Sequence, residues 1–181
     1  MSDLTTPNDV MYLVPEGYPL TIDIAQASIA GAGTAMHFTL PPKAHNLPLM
    51  HQRESKLLVA LAGEVEVRSG AQQIALLQLG QGVLLKPGIA HRVHQHGVLA
   101  ATVGVALWPG KVEQAFRDMG ARVAEGNYSR EEMVRILANY DVVWHGTTEG
   151  TAVAAEVKPL GDWLPALPAE LAREIRLHWL A

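Results

Sequence analysis

The sixteen residues GQGVLLKPGIAHRVHQ, Gly80 to Gln95, decide the fold. A glycine opens a short apolar run, Val83-Leu84-Leu85, which Lys86-Pro87-Gly88 then breaks, and a second run carries His91. Successive residues of a strand point to opposite sides, so His91 faces one way and His94 and His96 the other. Outward from this stretch, from about Val10 to Trp108, Gly or Pro interrupts the chain every few residues. Short apolar or alternating runs between such breaks mark an all-β sandwich or barrel. GEVEVRSG, Gly63 to Gly70, sets Val65 and Val67 against Glu64, Glu66 and Arg68, and Ser69-Gly70 turns the chain into a return strand, QQIALLQL. VLAATVGVALW, Val98 to Trp108, is almost wholly apolar and reads as a strand buried on both faces.

After Pro109-Gly110 the period changes. Val112, Ala115, Phe116, Met119 and Val123 recur at helical spacing, and Gly126 stops that helix. Ser129 and Glu132 form a capping box ahead of a second helix burying Met133, Ile136, Leu137 and Tyr140. A Gly/Thr-rich connection, HGTTEGT, follows, and a last helix begins near Pro168 with Leu171, Ile175 and Trp179 turned inward. The expected organisation is a β-barrel with an N-terminal strand arm over 1–110, and a helical extension over 111–181 packed on it rather than folding alone.

The composition narrows the function classes. The chain has 181 residues, 49% hydrophobic and 18% charged, which suits one well-buried core. A net charge of −4 with scattered Lys and Arg gives no footprint for nucleic acid or a membrane surface. There is no cysteine, which excludes disulfides, thiolate metal sites and a cysteine nucleophile. MSDLTTPNDV lacks the pattern of a secretory leader, so a cytoplasmic location is expected. DVMYLVPEG, Asp9 to Gly17, is apolar and β-prone, a strand edge that pairing with a second copy would cover; a homodimer is expected.

Two blocks, His51 to Gly63 and Gly80 to Gln95, together resemble the two motifs of the cupin superfamily. The first family motif, His-x-His, three or four residues, Glu, six residues, Gly, falls here on Leu49-Met50-His51, Lys56 and Gly63. The second, Gly, five residues, Pro-x-Gly, two residues, His, three residues, Asn, falls on Gly80, Pro87, Gly88, His91 and Gln95. Sixteen residues separate the two blocks, close to the family's shortest gap. The resemblance covers about residues 30 to 108 and is nearest to single-domain cupins of quercetin-dioxygenase-like type. It implies a double-stranded β-helix, or jelly-roll, barrel with C-terminal α-helices around it. In the family, three histidines and a glutamate hold iron, nickel, zinc, manganese or copper. Only His51 and His91 keep ligand identities here, and they are the metal residues if there is a metal. Leu49 offers no lone pair, and the ammonium of Lys56 repels a divalent ion. Little bound transition metal is therefore expected, unless His45, Glu54 or His37 moves in to complete a set.

These residues suggest a barrel that handles a small organic molecule by metal-independent proton transfer, of isomerase, cyclase or lyase type. His51, Lys56 and His91 are the candidate catalytic groups, and Leu49 and Gln95 the candidate substrate contacts. Lys56 inside an apolar barrel would have a lowered pKa and could act as a base, form a Schiff base or anchor a carboxylate. A metal-dependent dioxygenase resembling quercetinase and a non-catalytic ligand-binding barrel are the alternatives. Trp144, Trp163 and Trp179 read as packing anchors, and Lys86 as solvent-facing.

Overall fold

A computed structural model describes residues 10–12, 19–95, 97–126, 128–144, 150 and 153–180. His96, His145 and most of DVMYLVPEG and HGTTEGT lie outside the described residues. Ten strands come first: β1 Val10–Tyr12, β2 Pro19–Ile24, β3 Thr34–Leu40, β4 Leu49–His51, β5 Ser55–Ala62, β6 Val65–Ser69, β7 Gln72–Leu77, β8 Gln81–Leu85, β9 Arg92–His94 and β10 Ala101–Trp108. Helices α1 (Val112–Glu125) and α2 (Arg130–Ala138) follow, then β11 (Val142–Trp144), β12 (Val157–Pro159), α3 (Leu160–Trp163) and α4 (Ala169–Trp179). No described helix is long and apolar enough to cross a membrane.

The main sheet runs β1-β2-β3-β10-β5-β8-β12, and its pairings are all antiparallel. A second sheet runs β7-β6-β9, and β4 pairs with β11. Isolated bridges Leu49–His91 and His45–His94 tie β4 and its approach to the segment around β9. From β3 onward the chain passes back and forth between the two layers, interrupted only by the β6–β7 hairpin, which is the winding of a jelly roll. The result is a mainly β jelly-roll barrel followed by helices.

Strand parity sorts the side chains into two cores. Met36, Phe38, Leu58, Ala60, Val103 and Val105 point between the sheets, where they meet Val65, Val67 and Val93. Phe116, Met119, Met133 and Leu137 of α1 and α2 join this inner cluster. The alternate positions Ala35, Leu57, Val59 and Ala106 face outward and are covered by Leu160, Trp163, Leu164, Leu167, Leu171 and Ile175. β5 is thus buried on both faces, which explains its unbroken apolar run from Leu57 to Ala62. Gly82, outward-facing on β8, leaves room for Trp163, whose indole N–H donates to the Gly82 carbonyl at 2.8 Å.

The turn glycines of both motifs have a steric reason. Gly63, Gly80 and Gly88 have φ of 72°, 82° and 90°, a region that side chains disfavour. At Gly63 an added Cβ would also sit 3.1–3.2 Å from Ala100 and Ala101. The helix punctuation is equally local: Gly126 ends α1 at φ 72°, and the Ser129 side chain accepts the Glu132 N–H at 3.2 Å at the start of α2.

Two sequence expectations need correction. The strand read from Val98 begins at Ala101, where pairing with Leu40 begins; Val98 and Leu99 have no ladder partner and are exposed. The segment after α2 also contributes strands, β11 on β4 and β12 on β8, where only a connection was expected. Three-residue strands carry too little periodicity to stand out in a sequence.

Candidate functional site

Lys56 shares the parity of Leu58 and Ala60, so β5 aims it into the barrel, and it is 4% exposed. Leu49 and His51 are both buried on β4, and His91 is buried at the entry to β9. The main chain brings them together. The His91 N–H donates to the Leu49 carbonyl and the Leu49 N–H to the His91 carbonyl, each at 3.0 Å. The Gly88 N–H donates to the His51 carbonyl at 2.8 Å. The second motif is therefore stitched directly to the strand carrying the first, and the two imidazoles stack with centroids 6.0 Å apart.

The protons of this cluster can be placed by donor and acceptor chemistry. His91 Nδ1 lies 2.9 Å from the Ile89 carbonyl oxygen, which can only accept, so Nδ1 carries the hydrogen. Neutral His91 then presents a lone pair at Nε2, and Lys56 Nζ donates to it at 2.9 Å. His51 is different: among the described residues neither ring nitrogen has a hydrogen-bond partner, although the residue is only 3% exposed. A buried polar group left unpaired costs about 1–3 kcal/mol, so this ring is poised to receive a partner that enters the barrel.

Burial governs the charge. It brings the Lys56 amine down from 10.5 to about 7. It holds both imidazoles well below 6.5, with the neighbouring Lys56 pushing the same way. Among the described residues no carboxylate is hydrogen-bonded to Lys56, His51 or His91. At neutral pH the two imidazoles are uncharged, and the amine is shared between its charged and neutral forms.

The other candidates lie elsewhere. Gln95 is buried, but its Oε1 accepts the Gly97 N–H at 2.6 Å, within its own turn. His37 faces the outer side of β3, with Nδ1 2.8–2.9 Å from the Asp23 carboxylate, which also receives the Trp179 indole N–H. His45 packs its ring 5.3 Å from His94. Glu54 is buried, and its carboxylate accepts the Val112 N–H, capping α1, with burial raising its pKa. No local signal in the sequence marks that role, because Glu54 lies 58 residues before the Val112 N–H that it caps. Lys86 is exposed, and Trp144 lies under the Arg130 guanidinium at 4.9 Å.

A divalent metal does not fit these donors. Two imidazoles, an amine and the aliphatic Leu49 occupy the four ligand positions, and His91 Nε2 is engaged by Lys56. None of His37, His45 and Glu54 completes a set: among the described residues no three His, Asp or Glu side chains gather as a metal would require. Stable sites need three or more well-oriented ligands.

No family model matches the sequence, and no curated protein matches it. Solved structures do resemble the fold. A predicted oxalate decarboxylase from Thermotoga maritima has a TM-score of 0.48 at 14% identity, covering 59% of this chain and 95% of that one. A cupin 2 conserved barrel domain protein from Salinispora arenicola has a TM-score of 0.47 at 15% identity, covering 60% and 88%. A cupin-superfamily sugar phosphate isomerase from Silicibacter pomeroyi has a TM-score of 0.39 at 15% identity, and the match spans 42% of this chain and only 50% of that protein. The strand order and the two glycine-framed turns, rather than these distant likenesses, establish the fold as a double-stranded β-helix barrel, with the Lys56 amine and His91 hydrogen-bonded in its interior.

Proposed function

We propose that the barrel takes up a small organic molecule and moves a proton on it without a metal, through Lys56, His51 and His91. The observation that carries this reading is the buried Lys56–His91 hydrogen bond beside an unpartnered His51. A base that is half-neutral near pH 7 is well matched to proton transfer at that pH. His91, its tautomer set by the Ile89 carbonyl, can take a proton from Lys56 at Nε2 and return it. His51 is the group free to meet the substrate, and Leu49 supplies an apolar wall in place of a ligand. The quercetinase-like alternative requires a third metal donor beside these histidines. The binding-barrel alternative predicts affinity without exchange.

The test is hydrogen–deuterium exchange in heavy water, followed by proton NMR on a panel of 2-oxo acids and α-hydroxy ketones. Exchange at the carbon beside the carbonyl should exceed the buffer rate, and Lys56→Met should lower it at least about 100-fold. Exchange at the buffer rate across the panel would remove the proton-transfer reading.

The strand arm supports a proposal about assembly. β1 is the terminal strand of the main sheet and pairs on one side with β2. An open strand edge is commonly closed by a second copy, so the protein should run as a homodimer. Light scattering at micromolar concentration that returned the monomer mass would discard this.

A further inference from the structure

We propose that Lys56 forms a reversible imine with the carbonyl group of an aldehyde or ketone. This rests on the same site as the proton-transfer reading and names its substrate class. The geometry distinguishes an imine-forming amine from an anion anchor. An ammonium that binds carboxylates keeps its charge, normally with a counter-ion or several acceptors nearby. Lys56 instead donates to an uncharged acceptor, Nε2 of His91, whose only ring proton is committed to the Ile89 carbonyl. Among the described residues no carboxylate completes the pair, and the surrounding strand positions, Leu49, Leu58 and Leu85, are apolar. The amine therefore has no counter-ion to hold its charge and a base already hydrogen-bonded to it, so its neutral, nucleophilic form is within reach at neutral pH. The lowered basicity of the buried amine agrees with this placement.

The step balances with the groups present. The Lys56 lone pair bonds to the carbonyl carbon, and the carbonyl π pair moves to oxygen. Nitrogen gives up a proton to His91 Nε2, which passes it to the alkoxide oxygen, forming a neutral carbinolamine. The second N–H proton follows the same route to the hydroxyl group, which leaves as water while the nitrogen lone pair closes the C=N bond. No oxidant or other co-reactant is consumed. An imine at this position acidifies the neighbouring C–H, and the unpartnered His51 is the adjacent base.

The chain contains its own controls, because Lys43, Lys86 and Lys111 are exposed. Wild-type protein is incubated at pH 7 with acetaldehyde or pyruvate and sodium cyanoborohydride, then followed by intact mass and peptide mapping. Lys56 should be alkylated at least about tenfold faster than any exposed lysine, the ratio expected if one pKa unit or more separates them. In Lys56→Met the fast phase should vanish while the slow surface labelling persists. His91→Ala should slow the Lys56 adduct while the protein stays folded by circular dichroism. Labelling of Lys56 no faster than the surface lysines would overturn the imine. If deuterium exchange nonetheless depended on Lys56, the proton-transfer reading would stand and only the covalent step would fall. Rapid labelling with no exchange would leave the imine and remove the proton transfer.

Discussion

Wild-type protein should gain about 3 kcal/mol of stability between pH 7 and pH 9.5 relative to Lys56→Met, because only the wild type carries the buried amine. Burial lowers the folded-state pKa of Lys56 from 10.5 to about 7. Between those values the unfolded chain holds a proton that the folded chain has shed. Stability therefore rises with pH through this window, and the penalty is largest below pH 7, where folding must either bury the ammonium or release its proton. Replacement by Met removes the penalty but leaves His91 Nε2 without its donor, a cost of about 1–3 kcal/mol that does not vary across this range. The variant should thus be the more stable protein at pH 7 and the less stable near pH 9.5. Urea unfolding of both proteins at both pH values measures this directly. Parallel pH profiles would show that Lys56 reaches solvent or an anion in solution.

Trp163→Ala should cost about 3–5 kcal/mol, the range for removing a large buried aromatic side chain. The indole is 7% exposed, packs in the outer cluster with Leu57, Val59, Leu160 and Leu164, and donates to the Gly82 carbonyl. Its loss would open a void against β8 and remove that hydrogen bond. α3 is a single turn and has no stability of its own, so residues 160–167 depend on this anchor. Urea unfolding is again the measurement, and a loss under about 1 kcal/mol would show that the cover of the outer face rests on Leu171 and Ile175 instead.

The barrel was legible because its determinants are local. Left-handed glycines at positions 63, 80 and 88 and strand parity around Lys56 and His91 are written into short stretches. The helix stop at Gly126 and the helix start at Ser129 are equally local. What escaped is set by distant parts of the chain. Glu54 is a cap only because α1 begins beside it, and nothing near Glu54 announces this. β11 and β12 exist because β4 and β8 offer open edges, not because three residues of either favour a strand strongly. The direct Lys56–His91 bond likewise depends on rotamers and on the tautomer fixed by Ile89, which spacing cannot supply. Gln95 illustrates the reverse: the motif position is filled, but its amide turns back to Gly97.

The pairing of β11 with β4 has a consequence for how the protein is made. Val142 lies opposite His51 and Trp144 opposite Leu49, and Gln52 donates its N–H to the Asp141 carbonyl. A chain leaving the ribosome N-terminus first presents both motifs long before this strand emerges. Until it does, the edge of β4 has no neighbour on that side, and His51 hangs on a three-residue strip held only through Leu49 and Gly88. The nascent barrel thus waits with His51 in a half-built wall, and the late-arriving strand closes it.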